Sequence, residues 1–314
     1  MNKLKKIGLT ALAASLVTTS AFAGAMSVAG CASIGVKNTT GTNDGSSGKS
    51  FTMGNQLTFS GGGELDNGLN VSLSFVLDQA DDSTTGLANS PFDGHSVTIS
   101  SDALGTLKFS GEGGSSAQSA MDTTAAGDIW NNGLGMASVS AAAAGNNSLF
   151  YTLPAMMDGV AITASMSPGR AAQETHTSYG LVYTGVEGLT VKFGQGDSGA
   201  PGAEIESTTM MASYAIGSFT VSASNTSAVK TGAANTDLTS YQLAYTVSDD
   251  LSVTYGEETF DLTGNATDEE VSGFGVSYTT GGMTISANQY EAKGVKNTAG
   301  SKVEKWALTA AFAF

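Results

Sequence analysis

Apolar and polar side chains alternate along much of this chain. Leu69, Val71, Leu73, Phe75 and Leu77 enclose Asn70, Ser72, Ser74 and Val76, so one face is apolar and the other almost wholly polar. Leu189, Val191 and Phe193 flank Thr190 and Lys192, and Leu251, Val253 and Tyr255 flank Ser252 and Thr254. Tyr241, Leu243, Tyr245 and Val247 repeat the pattern, and Trp306, Leu308, Ala310, Phe312 and Phe314 end the chain on it. Successive side chains of a strand point to opposite faces, so a period of two predicts strands with one apolar and one wet face.

The same criterion predicts strands at 25–36, 51–60, 68–78, 95–101, 104–111, 147–154, 158–167 and 175–185 in the first half. It predicts 188–195, 207–216, 218–225, 237–247, 250–258, 270–279, 282–290 and 303–314 in the second, about 16 in all. Their connections alternate in length. Asp66-Asn67-Gly68, Asp102 to Leu104, Ala155 to Asp158, Val186 to Gly188, Gly217, Asp249-Asp250 and Gly281-Gly282 are turn-like. Such steps supply the positive φ angles of tight hairpins. Between them lie polar stretches at 37–50, 79–94, 196–206, 226–236 and 259–269. Short turns on one rim and long loops on the other are the pattern of an up-and-down transmembrane barrel, and an even strand count places both chain ends on the periplasmic side. A soluble β-sandwich has no reason to alternate its connections so strictly.

One connection stands apart. Residues 112–146 are poor in β-branched side chains and contain Glu112, Asp122, Asp128 and the run Ala141 to Ala144. A loop of this length is usually functional or disordered. As the third long loop it is expected to fold into the lumen, the other reading being a surface loop.

The first 23 residues set where the barrel is made. Lys3, Lys5 and Lys6 precede an apolar run from Ile7 to Val17 and then Ala21-Phe22-Ala23, a cleavable export signal that leaves a single domain at 24–314. The run falls short of the roughly 20 residues of a spanning helix, whereas a barrel strand needs only about 9 to 11 with alternate ones apolar. A mean hydropathy of +0.02 is compatible with such a membrane protein. Four prolines against 41 glycines suit long, continuous ladders. Val28-Ala29-Gly30-Cys31 looks like a lipoprotein box, but it lies far beyond the apolar run and behind a better cleavage site, so Cys31 is read as a small thiol in the first strand.

Charge and chemistry narrow the function. With the three leader lysines removed, 10 basic and 28 acidic residues remain, a formal charge near −18, which excludes nucleic acid as a partner. His95 and His176 are the only histidines, and no serine stands in a Gly-x-Ser-x-Gly elbow, so no enzyme is expected. One cysteine and two scattered histidines give no metal spacing. No cofactor is expected, except divalent cations between lipopolysaccharides at acidic outer loops containing Asp81, Asp82, Asp268, Glu269 and Glu270.

The exported start, the first strand opening Met26-Ser27-Val28-Ala29-Gly30, the strand layout with its long third loop and the final Trp306 to Phe314 strand resemble the Gram-negative general porins, especially their α-proteobacterial, Rhodobacter-like branch. The resemblance implies a homotrimer of 16-stranded barrels in outer-membrane lipid and lipopolysaccharide, each passing small hydrophilic solutes and ions. It implies that Trp306, Phe312 and above all Phe314 carry the signal read by the barrel-assembly machinery. It also implies a constriction that sets loop acids, here Glu112, Asp122 and Asp128, against wall bases, for which alternation offers Lys108 and Lys192. Arg170, the only arginine, departs from the family's basic cluster and is expected at the outer mouth. A ring of carboxylates favours cations, and a mild cation preference is expected. A ligand-specific outer-membrane channel and a non-conducting surface or adhesin barrel are the alternatives.

Overall fold

The computed structural model describes residues 26–41, 48–78, 92–121, 124–169 and 174–314. The expected signal segment therefore lies outside the described residues, as do Asp81, Asp82, Asp122 and Arg170. Sixteen antiparallel strands close on themselves, each paired with its neighbours in sequence and the first with the last. They are β1 Ser27–Gly41, β2 Gly48–Glu64, β3 Asn70–Asp78, β4 Phe92–Ser101, β5 Gly105–Glu112, β6 Ser148–Thr152, β7 Val160–Ser167 and β8 His176–Val186. There follow β9 Leu189–Ala200, β10 Ala203–Ile216, β11 Phe219–Lys230, β12 Thr236–Ser248, β13 Leu251–Leu262, β14 Glu269–Thr280, β15 Met283–Lys293 and β16 Lys302–Ala313. Every predicted strand has its counterpart.

Closure runs from Cys31 opposite Ala313 to Gly41 opposite Val303. It leaves no edge, which is the condition for a sheet to cross hydrocarbon with every ladder group paired. Phe314 extends the seam, its N–H donating to the Gly30 carbonyl at 2.9 Å and its carbonyl accepting from the Gly30 N–H at 2.7 Å. A Cβ at Gly30 would lie 2.4 Å from the Phe314 ring, so the glycine makes room for the terminal aromatic.

The strands differ from their predicted extents in one systematic way. Residues 37–41, 48–50, 196–200, 203–206, 226–230 and 259–262 read as loop but continue the ladders. The apolar alternation stops where a strand leaves the membrane, while backbone pairing needs no apolar side chain and carries on above it. β2 and β1, at 17 and 15 residues, exceed the roughly 9 to 11 that span a bilayer. Glu269 and Glu270 likewise belong to β14 and not to an exposed loop, and Glu269 is buried.

The two faces sort by alternation. Met210, Tyr214, Val221, Tyr241, Leu243, Phe274, Trp306 and Phe312 stand exposed on the outside, as a lipid-facing belt must. Between them Ser207, Thr209, Ser222, Ser224, Thr226 and Ser240 are buried on the inside. The polar face is thus the covered one, the inverse of a water-soluble protein. Among the described residues no helix is long and apolar enough to cross a membrane, and the strands do so instead.

Cys31 is exposed and pairs with Gln56 on the inner face near the short-turn rim. A small, charged, membrane-impermeant thiol reagent is therefore expected to modify the folded barrel in intact vesicles within minutes. Protection there, with reaction only after unfolding, would place Cys31 on the wrong face.

Candidate pore constriction

β5 and β6 are ladder neighbours, joined by residues 113–147. This segment leaves and returns at one place on the wall, and in between it reaches seven strands beyond them, β8 to β14, as well as β7 and β16. Only the lumen offers such a path.

A buried loop must find a partner for each backbone polar group, and here the wall supplies them. The Ala117 N–H donates to Ser165 Oγ at 2.9 Å on β7 and to Ser178 Oγ at 2.8 Å on β8. Gln118, wholly buried, donates through Nε2 to Thr209 Oγ1 at 2.7 Å on β10, while its Oε1 accepts the Ala142 N–H at 2.8 Å, tying the two arms of the loop together. The Ala125 and Ala126 N–H groups donate to Ser224 on β11 at 2.7 Å and Ser240 on β12 at 2.8 Å. Glu258 on β13 accepts from the Ile129 and Trp130 N–H groups at 3.2 and 2.7 Å, and Glu269 on β14 accepts from that of Ala137 at 2.7 Å. On the return arm Ser207 and Ser198 donate to the Ser140 and Ala141 carbonyls at 2.6 and 3.1 Å. The serines and threonines that read as a plain wet lumen are therefore in large part fastenings, each worth about 1 kcal/mol net and more where a carboxylate accepts.

Space is made by glycine. A Cβ at Gly194 would stand 2.9 Å from Gln118 Cα, and one at Gly196 would stand 2.7 Å from Ala142 Cβ. At Gly256 it would meet Ala126 Cβ at 2.7 Å. The loop closes over a small apolar core in the lumen, made of Ala126, Ile129, Leu134, Val271, Ala292, Val295 and Val303 with Trp130, Met136 and Tyr290 against it.

The sequence-derived residues fall as follows. Lys108 shares its face with buried Ser110, and Lys192 shares its face with Gly194 and Gly196, so both point inward. Asp128 is turned to its own loop, its carboxylate accepting from Thr124 Oγ1 at 3.0 Å and Trp130 Nε1 at 3.3 Å. Glu112 pairs with His95 beyond a bulge at which the β4–β5 register shifts, so the alternation carrying Lys108 inward does not extend to it. His95 pairs with Phe75 of the outer belt, and His176 Nδ1 bonds Asp197 at 2.7 Å, far from it in the fold. Trp306 and Phe312 face outward, and Phe314 sits on the seam.

Two wall lysines escaped the sequence reading. Lys37, in a stretch read as loop, shares the inner face with buried Thr39, and Lys305, two residues from buried Val303, donates to the Asn132 carbonyl of the loop. Lys305 was legible from the period of two, since Trp306 and Leu308 point out. Glu258 and Glu269 were legible only as charges. Among the described residues no group of three His, Cys, Asp or Glu side chains could hold a metal ion.

A family model for Gram-negative porins matches residues 8–314. Solved structures agree in architecture at low identity. The anion-selective porin of Comamonas acidovorans superposes with a TM-score of 0.72 at 14% identity, over 93% of this chain and 100% of that one. The trimer form of OmpT from Vibrio cholerae gives 0.70 at 14%, over 93% and 100%. A mutant of the Rh. blastica porin gives 0.68 at 14%, over 92% and 100%. No curated protein matches the chain in sequence. The full-length family match, the closed 16-strand barrel and its outer apolar belt lead to one conclusion: the chain belongs to the Gram-negative porin family, as an integral outer-membrane channel protein.

Proposed function

We propose that the channel is a general diffusion pore for small hydrophilic solutes, narrowed by residues 113–147 and mildly cation-preferring. The fastening of that loop along the inner wall, from Ser165 to Glu269, is the observation that carries the reading. A loop held at so many points narrows the lumen steadily instead of plugging it intermittently. Solute passage needs no cofactor, and a channel, not an enzyme, is the reading that family membership supports. The trimer form of the Vibrio cholerae neighbour supports a trimer here.

The sign of the selectivity rests on charge placement more than on net charge. Many carboxylates, including Glu204, Glu206, Asp237, Asp261 and Glu270, sit on the outward face of the upper strands and cannot act on an ion in the lumen at close range. The wall itself presents Lys37, Lys108, Lys192 and Lys305. Against these, among the described residues, the short-turn rim carries Glu64, Asp66, Asp102, Asp158, Glu187, Asp249 and Asp250 and no basic residue. A solute entering from the periplasmic side meets this ring first, within about one Debye length, 8 Å at physiological salt. The Comamonas porin is anion-selective by name; the carboxylate-only rim supports the opposite sign here.

The test is a reversal potential across a potassium chloride gradient in a planar bilayer. Neutralising Asp66, Asp102, Asp158, Asp249 and Asp250 to Asn and Glu187 to Gln is expected to lower the cation-to-anion permeability ratio by at least about twofold, more at low salt. A ratio unchanged by all six substitutions would remove the rim from the mechanism. Absence of conductance from the folded wild-type barrel would replace the diffusion pore with a closed surface protein.

A further inference from the structure

The last long connection, residues 294–301 between β15 and β16, does not stand free at the outer mouth. It turns at Gly294, where φ is 65° and a Cβ would lie 2.0 Å from the Asp268 carbonyl oxygen, a place only glycine can take. Val295 then enters the luminal core at 1% exposure, against Leu134 of the inner loop at 0%. Ser301 Oγ holds the turn by donating to the Val295 carbonyl at 3.0 Å, and Asn297 Nδ2 donates to the Thr267 carbonyl at 3.1 Å. Lys296 and residues 298–300 remain exposed.

Glu269 joins the two loops. Its side chain is 1% exposed, and each carboxylate oxygen serves a different segment. Oε2 accepts the Ala137 N–H of the inner loop at 2.7 Å, and Oε1 accepts the Asn297 N–H of the outer turn at 3.2 Å. A carboxylate is the side chain suited to this post, because it offers acceptors on both oxygens. Gln would turn an NH2 donor toward one of the two N–H groups.

We propose that the 294–301 turn is a latch on the inner loop, with Glu269 the positioning residue that both loops share and Val295 its apolar catch. The latch rests on the reading of 113–147 as the constriction, and it fixes the stretch of that loop near Ala137 from the extracellular mouth. Size cut-off and current steadiness thus depend on a turn that lies some 160 residues further along the chain than the loop it holds.

The test uses the full refolded protein in bilayers and proteoliposomes. Glu269→Gln and Val295→Ala are compared with wild type in closing events per open channel and in liposome swelling with sugars of increasing size. Both variants are expected to raise the closing frequency at least threefold and to alter the large-to-small permeation ratio. Val295 lies outside the ladders, so its variant can close its barrel even if Glu269→Gln does not. Heat-modifiable mobility on a gel checks that each has folded. A third protein, with residues 125–137 replaced by Gly-Ser-Gly, removes the narrowing stretch together with its latch contacts at Leu134 and Ala137 and is expected to conduct more. If it does so while both latch variants match wild type, the latch is overturned and the constriction stands. If it conducts as wild type does, the constriction itself is lost and the latch with it.

Discussion

Reversing the four wall lysines together, Lys37→Glu, Lys108→Glu, Lys192→Glu and Lys305→Glu, is expected to turn a weakly selective channel into a strongly cation-selective one. All four side chains stand on the inner face. Each reversal changes the local charge by two. In water a unit charge acts on an ion about 10 Å away with about 0.4 kcal/mol before screening, and salt reduces this by a further factor of about three. Eight units of changed charge, attracting cations and repelling anions, then alter the permeability ratio on the order of tenfold. Lys305 also donates to the Asn132 carbonyl of the inner loop, so its reversal disturbs the loop as well as the field. The triple variant that keeps Lys305 separates the two effects: it should retain most of the selectivity gain with wild-type current noise. A reversal potential that stays put in both variants would show that permeating ions do not sense these lysines.

The second large effect is steric. Gly194→Val and Gly196→Val place branched side chains where the inner loop lies against β9. Even a Cβ would come within 2.9 Å of Gln118 Cα in the first and 2.7 Å of Ala142 Cβ in the second, where it would also meet Ser178 Cβ of the neighbouring β8 at 2.2 Å. β9 is held in register by β8 and β10 and cannot yield. The loop must move away from the wall, into the open lumen, and forfeit the Gln118 and Ala117 fastenings. Overpacking of this kind costs about 1–3 kcal/mol, less than closure of the barrel supplies, so the barrel should still form. Single-channel conductance is expected to fall to less than half, with a lower temperature for heat-induced unfolding. Gly54→Ala is the control, since its Cβ meets only Ser33 Oγ, at 2.9 Å, and no loop. Wild-type conductance from both valine variants would mean that the loop does not rest on this wall in the membrane.

The sequence carried the barrel because barrel strands are specified locally. The alternation of Leu69 to Leu77 or Trp306 to Phe314 fixes which side chains meet lipid, and a slip of one residue would reverse them all. Asn-Gly and Gly-Gly steps mark the short rim for the same local reason. Lys108, Lys192 and Lys305 could be assigned a face by counting in twos. Lys37 could not, because apolar alternation ends at Val36 although the ladder runs on to Gly41. Glu112, read as the first acid of the long loop, instead ends β5, beyond a bulge beside His95 that breaks the count of two.

What covers the polar face was decided only in three dimensions. Glu258 meets Ile129 across 129 residues of sequence, and Lys305 meets Asn132 across 173. No period links such partners. Serine, threonine and glycine on a wall look alike in sequence whether they face water or fasten a loop, and Leu134 and Val295 carry no amphipathic signature in their short, irregular segments. Period two thus determined the cylinder and its lipid face, because those depend on neighbours along the strand. The course of the inner loop, its fastenings and its meeting with the 294–301 turn at Glu269 depend on which buried backbone groups find acceptors on distant strands, and closure of the barrel alone brings those together.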